Sequence, residues 1–296
     1  MEELMDSNAI VVGVDGSDEA DRALRWAART AARRHEPLHI VHGFAPMAGF
    51  YGAGLPVLHE AYEAFVKAAD DLLAAAVRTA REIGGPELTV TAGKLQEAGP
   101  VALIEASRTA RTVVLGCSGT GGFTGMVVGS TTVEVAAHAR CPVVVVRGRD
   151  EPTGPVVAGV DGSATSERAL ATAFEEASWR GVPLVAVHVW ADADVAGHPG
   201  TVPFLVDWPE IEQDAQRLLA EQLAGWQEKY PDVVVERVVA RDRPRHQLLS
   251  WSTRAQLVVV GSRGRGGFRG LLLGSTSQAL VHHAQCPVMI VRPDAV

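Results

Sequence analysis

One pattern occurs twice in this chain and constrains it more than any other feature. Gly116-Cys117-Ser118-Gly119, nine further residues and Gly129-Ser130-Thr131 are matched by Gly261-Ser262-Arg263-Gly264, nine residues and Gly274-Ser275-Thr276. Each copy directly follows a β-type run, Val113-Val114-Leu115 or Val258-Val259-Val260. Glycine lets a backbone wrap closely round a ligand, and serine and threonine add hydroxyl donors to the main-chain N–H groups. The pattern therefore predicts a phosphate-bearing ligand, one per copy.

The repetition extends beyond this loop. Val11-Val12-Gly13-Val14-Asp15-Gly16-Ser17 returns as Val157-Ala158-Gly159-Val160-Asp161-Gly162-Ser163 at an offset of 146, while the loops and the Cys141-Pro142 and Cys286-Pro287 pairs are offset by 145. A period near half the chain, instead of the roughly 20–50 residues of a solenoid repeat, predicts two whole domains. The polar, Pro- and Gly-bearing stretch from Arg149 to Pro155 reads as the linker, which places the domains at 1–149 and 150–296. A chain that is 47% hydrophobic can fill two cores, and a net charge of −8 opposes broad attraction to nucleic acid or an anionic membrane. No run approaches the length of a membrane span, and the chain begins with acidic residues where a signal peptide would be basic, so a cytoplasmic protein is expected. Cys117, Cys141 and Cys286 have neither disulfide nor zinc spacing and read as reduced structural thiols.

Within each copy, short Val- and Ile-rich runs alternate with helical stretches. The expected strands are 9–14, 38–43, 88–92, 112–115 and 142–146, then 156–161, 184–189, 233–240, 257–260 and 287–291. Ser17 ahead of Asp18 and Glu19 is an N-cap with an acidic first turn, and residues 60–83 form a long amphipathic helix. Continuously apolar strands with intervening helices predict an α/β fold, a doubly wound parallel sheet in each domain. Ligands of such sheets lie beyond the carboxyl ends of the strands, where the strand order reverses. With the order 3-2-1-4-5, strand-end Asp15 or Asp161 and the glycine loop would share one mouth. Thr131 with Glu134, and Ser275 with Gln278, read as capping boxes that start a helix aimed at the phosphates.

These residues, with the Cys-Pro-Val at each last strand, resemble the universal stress protein family, in its tandem, ATP-binding form, over nearly the whole chain. The resemblance implies the Rossmann-like order 3-2-1-4-5 in both domains and one ATP in each, accompanied by Mg²⁺. It implies that Asp15 and Gly43, with Gly13 beside them, approach adenine or ribose in the first copy, and that Gly116, Gly119, Gly129, Ser130 and Thr131 surround ribose and phosphates. In the second copy the matching positions are Gly159, Asp161, Val189, Gly261, Arg263, Gly264, Gly274, Ser275 and Thr276. Apolar fifth strands would be unpaired edges, which soluble proteins avoid; pairing them with each other joins the domains about a pseudo-twofold, as the family precedent also implies. That precedent, with Trp208 and Phe204, further implies a homodimer.

Other nucleotide motifs do not fit. No P-loop lysine pattern occurs, and neither loop completes G-x-G-x-x-G, because Thr124 or Arg269 stands at its last position. Blander readings remain beside these: Asp15 and Asp161 could serve only their Asp-Gly-Ser turns, and His42 and His188, at matched strand positions, read as packed or hydrogen-bonded. The copies differ in charge, with Arg263, Arg265 and Arg269 standing where the first has Ser118, Thr120 and Thr124. This predicts tighter, more salt-sensitive phosphate binding in the second. The leading reading is a nucleotide-dependent regulator that acts through a protein partner, without nucleic acid or membrane insertion. A slow ATPase or phosphotransferase, and a scaffold with structural nucleotide, remain open alternatives.

Overall fold

Runs of β-branched residues become the strands, and alanine-rich amphipathic stretches become the helices that cover them. The computed structural model describes residues 8–43, 57–95, 97–119, 128–190, 208–265 and 272–293. The chain divides into two compact units, with the change between Arg147 and Gly148.

The first unit runs β1 (Ile10–Gly13), α1 (Asp18–Arg34), β2 (Leu38–Gly43), α2 (Val57–Gly84), β3 (Val90–Leu95), α3 (Gly99–Ala106), β4 (Thr112–Gly116), α4 (Ser130–His138) and β5 (Val143–Val146). Its five strands are parallel in the order β3-β2-β1-β4-β5. Ile10 lies between Leu38 on one side and Thr112 on the other, so the sheet reverses direction of growth between β1 and β4. The second unit repeats this with β6 (Val156–Val160), α5 (Ala164–Arg180), β7 (Leu184–Trp190), α6 (Trp208–Lys229), β8 (Val235–Arg241), α7 (Pro244–Ser252), β9 (Leu257–Gly261), α8 (Ser275–His283) and β10 (Val288–Val291). Its order is β8-β7-β6-β9-β10, also parallel.

Helices on both faces explain the near-continuous apolar strands: Val11, Val12, Val113, Val114, Val143, Val144 and Val145 have no exposed surface. Each such valine contributes on the order of 1.5–2 kcal/mol by leaving water. The helix α1 buries Ala20, Ala23, Ala27, Ala28 and Ala31, small residues that let it lie close on the sheet. Ser17 caps it as expected, its Oγ accepting from the Ala20 N–H at 3.2 Å.

The edge strand of each unit and two short helices differ from the sequence reading, with β8 at Val235–Arg241 where 233–240 was expected. The third strand begins at Val90 instead of Leu88, because the Leu88 N–H closes a turn onto the Gly85 carbonyl while its side chain is buried; it then continues to Leu95. This is an edge strand with little burial, so its apolar pattern is faint. The short helices α3 and α7 had no clear sequence signal, since neither has a side-chain cap or an acidic first turn, only a proline at its start.

Candidate functional site

Each central strand ends in an Asp-Gly-Ser turn held by its own aspartate. Asp15 Oδ1 accepts from the Ser17 N–H at 3.0 Å and the Ser17 hydroxyl at 2.6 Å, and Asp161 Oδ1 accepts from Ser163 in the same way at 3.0 and 2.7 Å. The glycine between them is left-handed, with φ 85° at Gly16 and 75° at Gly162. The turn role is thus real, and it occupies one carboxylate oxygen. The other reaches the glycine loop. Asp161 Oδ2 accepts from the Arg265 N–H at 3.0 Å, and a Cβ placed on Gly264 would lie 2.1 Å from it; a Cβ on Gly119 would lie 2.2 Å from Asp15 Oδ2. A side chain at these two positions would have to displace the strand-end carboxylate, whereas the backbone conformation sets no requirement for glycine.

The loop closes tightly onto the helix that follows. The Gly129 N–H donates to the Cys117 carbonyl and the Gly274 N–H to the Ser262 carbonyl, both at 2.8 Å. From the next turn, Thr132 Oγ1 donates to the Gly116 carbonyl at 2.8 Å and Ser277 Oγ to the Ser262 carbonyl at 3.0 Å. Gly116 is pressed against the start of α1, where a Cβ would lie 2.7 Å from the Glu19 carbonyl, and Gly261 against Thr165 at 2.9 Å. The expected capping boxes do not form. Gly129 and Gly274 are the N-caps, with no side-chain acceptor, so Ser130, Thr131, Ser275 and Thr276 lie inside the first turn and cannot cap it. The first N–H groups of α4 and α8 therefore receive no bond from an N-cap side chain and keep their partial positive charge as far as the described residues go. At the loop start of the second unit, Ser262 Oγ is buried with no hydrogen-bond partner among the described residues.

The structure thus brings Asp15, Gly116, Gly119, Gly129, Ser130 and Thr131 to one mouth, and Asp161, Gly261, Arg263, Gly264, Gly274, Ser275 and Thr276 to another. The remaining expected positions have packing reasons of their own. A Cβ on Gly13 would lie 2.8 Å from Leu103 of α3, and one on Gly159 3.0 Å from Leu248 of α7. Gly43 ends β2 where the backbone of Gly99 approaches, 2.5 Å from a hypothetical Cβ, whereas Val189 is buried in β7. His42 Nδ1 and His188 Nδ1 each bond the carbonyl of Val14 or Val160 at 2.8 Å, which requires the proton on Nδ1 and ties the second strand to the residue before the aspartate.

The electrostatics separate the two mouths. In the second, Arg292, one residue past β10, is driven below its ordinary pKa by its own burial and by repulsion from Arg263. Its place beside the loop had no local sequence signal. Arg265 also lies against the Gly162 turn together with Gln222 of α6. In the first unit a small cavity of about 170 Å³ opens beside the corresponding Gly16, bounded by Leu72 and Ala76 of α2. Thr120, Thr124, Arg269 and Phe204, and the side chain of Trp208, lie outside the described residues. Among those described, no three His, Cys, Asp or Glu side chains converge on a metal position, and no helix is long and apolar enough to cross a membrane.

The sequence profile described as the Universal stress protein family matches this chain at residues 7–147 and again at 153–292. A universal stress protein of Mycobacterium tuberculosis is 42% identical over 294 residues, 97% of each chain. One from Mycolicibacterium smegmatis is 44% identical over 291 residues, covering 96% of this chain and 97% of that one. Among solved structures, a universal stress protein from Archaeoglobus fulgidus superposes with a TM-score of 0.71 at 18% identity, covering 97% of this chain and 99% of its own.

Proposed function

As the chain belongs to the universal stress protein family, we propose that each of its units binds one ATP, and that the protein acts as a nucleotide-dependent regulator of a stress response or of growth through a partner protein. The observation that carries this reading is the twice-repeated convergence of a strand-end carboxylate, a close-wrapped glycine loop and a helix start with no side-chain cap. Main-chain N–H groups and a positive dipole end suit phosphate oxygens, and carboxylate oxygens suit ribose hydroxyls.

Asp15 and Gly43 would meet the nucleoside in the first unit, and Asp161 and Val189 in the second, with the phosphates along the glycine loops. Mg²⁺ would neutralise phosphate charge and keep several of its waters, needing at most one or two protein carboxylates. Arg263, standing where the first loop has Ser118, would give a phosphate a charged partner, so the second unit binds ATP more tightly and with greater salt sensitivity.

Calorimetric titration with Mg·ATP tests this. The unaltered chain should bind two equivalents, and Gly119→Asp or Gly264→Asp should each remove one, because the new carboxylate is forced onto Asp15 or Asp161. Gly119→Asp, which keeps the second site, should show the higher affinity and the steeper salt slope. Phosphate release should stay negligible over hours; steady turnover lost in Asp161→Asn would assign hydrolysis instead. No binding at millimolar Mg·ATP would sink the proposal.

A further inference from the structure

In the second unit, α7 and α8 lie side by side and border an open groove of about 890 Å³. Arg243, Arg245 and His246 line it from the start of α7, and His282 and His283 from the last turn of α8. The sole acid among its described lining residues, Asp242, is already engaged by the Arg243 N–H at 2.6 Å, His246 Nδ1 at 2.5 Å and Gln247 Nε2 at 2.9 Å. Those bonds, the one from His246 foremost, hold its carboxyl down to about 2. Arg243 and Arg245 bring two guanidinium groups to this groove on a chain whose net charge is −8.

The duplication supplies an internal control. The helix pairs α3–α4 and α7–α8 are joined alike, with Ser107 Oγ accepting from the Arg140 N–H at 2.8 Å and Ser252 Oγ from the Gln285 N–H at 3.0 Å. Yet Ala98, Pro100, Val101 and Ala137 stand where the second unit has Arg243, Arg245, His246 and His282. The fold therefore does not require the two arginines or the two histidines at these positions. Arg243, Arg245, His246 and His283 are solvent-exposed along the open groove, a shape that can lie along an extended chain. We propose that this groove docks an acidic, Glu- and Asp-rich segment of a partner protein, through charge-assisted hydrogen bonds from the two arginines. The inference rests on the regulator reading for its biological use, but not for the binding itself.

The test is fluorescence anisotropy of a labelled octaglutamate peptide with the full chain, without nucleotide and at low salt. Saturable binding should weaken several-fold when ionic strength rises from about 0.05 to about 0.2 M. Arg243→Glu with Arg245→Glu should weaken it at least tenfold, and Arg243→Gln with Arg245→Gln, which avoids new repulsion, by a smaller factor. Ala98→Glu with Val101→Glu, on the matching surface of the first unit, should leave it unchanged. No saturable binding, indifference to both arginine pairs, or an equal loss from the first-unit pair would overturn the proposal. So would loss of peptide binding in Gly264→Asp, which would assign the cations to the glycine-loop site. Mg·ATP titration of the arginine variants keeps the two ideas apart, since unchanged ATP binding leaves the nucleotide reading standing whatever the peptide does.

Discussion

Replacing Gly264 by alanine places a methyl carbon 2.1 Å from Asp161 Oδ2, far inside van der Waals contact. Backbone conformation adds nothing to the cost, because Gly264 is absent from the left-handed glycines. The carboxylate must swing away by more than an ångström, which breaks the 3.0 Å bond from the Arg265 N–H and strains the two from Ser163. A hydrogen bond to a charged group contributes roughly 1.5–3 kcal/mol, and the exposed position of this one reduces the expected loss to about 1–2 kcal/mol. For a unit of this size that lowers the melting temperature by roughly 2–8 °C. The assay is a double-mutant cycle with Asp161→Ala, followed by tryptophan fluorescence, since Trp179, Trp190, Trp208, Trp226 and Trp251 belong to the second unit and Trp26 alone to the first. With the carboxylate gone, the methyl group meets no obstacle, so the coupling energy should be about 1–2 kcal/mol. If Gly264→Ala costs the same in both backgrounds, the aspartate does not dictate the glycine and the account of the loop fails.

Two further expectations come from equally local geometry. His35 ends α1 in the left-handed region, at φ 53°, where α5 uses Gly181 at φ 62°, so His35→Gly should stabilise the first unit by about 0.5–1 kcal/mol; an unchanged or lower urea midpoint counts against this. Burial pushes the Cys141 thiol up from 9.0 to about 12, so the folded chain keeps a proton that the unfolded chain releases. Stability from this source is complete below about pH 9 and is lost as pH rises toward about 12. Cys141→Ala should flatten that alkaline loss, and a thiol reagent at neutral pH should modify half-exposed Cys117 well before Cys141; equal labelling rates in the native protein would contradict the burial argument.

The sequence by itself determined the features that depend on neighbours along the chain. Alternating Val-rich runs and alanine-rich helices specified two parallel α/β sheets, and Ser17 before Asp18 and Glu19 specified a capped helix, because burial period and capping act within one or two turns. The Asp-Gly-Ser turns and paired glycine loops were legible for the same reason, as short-range backbone requirements repeated at matching positions.

Only the tertiary structure decided what approaches these loops. The carboxylates of Asp15 and Asp161 exclude a side chain at Gly119 and Gly264, Leu103 and Leu248 explain Gly13 and Gly159, and glycine N-caps replace the expected capping boxes. Arg292 reaches Arg263, and Arg243 and Arg245 share a groove with His282, although nothing in the local sequence links them. Such contacts join residues that are far apart in the chain. Within each unit they exist only once the parallel sheet and its covering helices have assembled, and there packing distance, not sequence separation, selects which side chains meet.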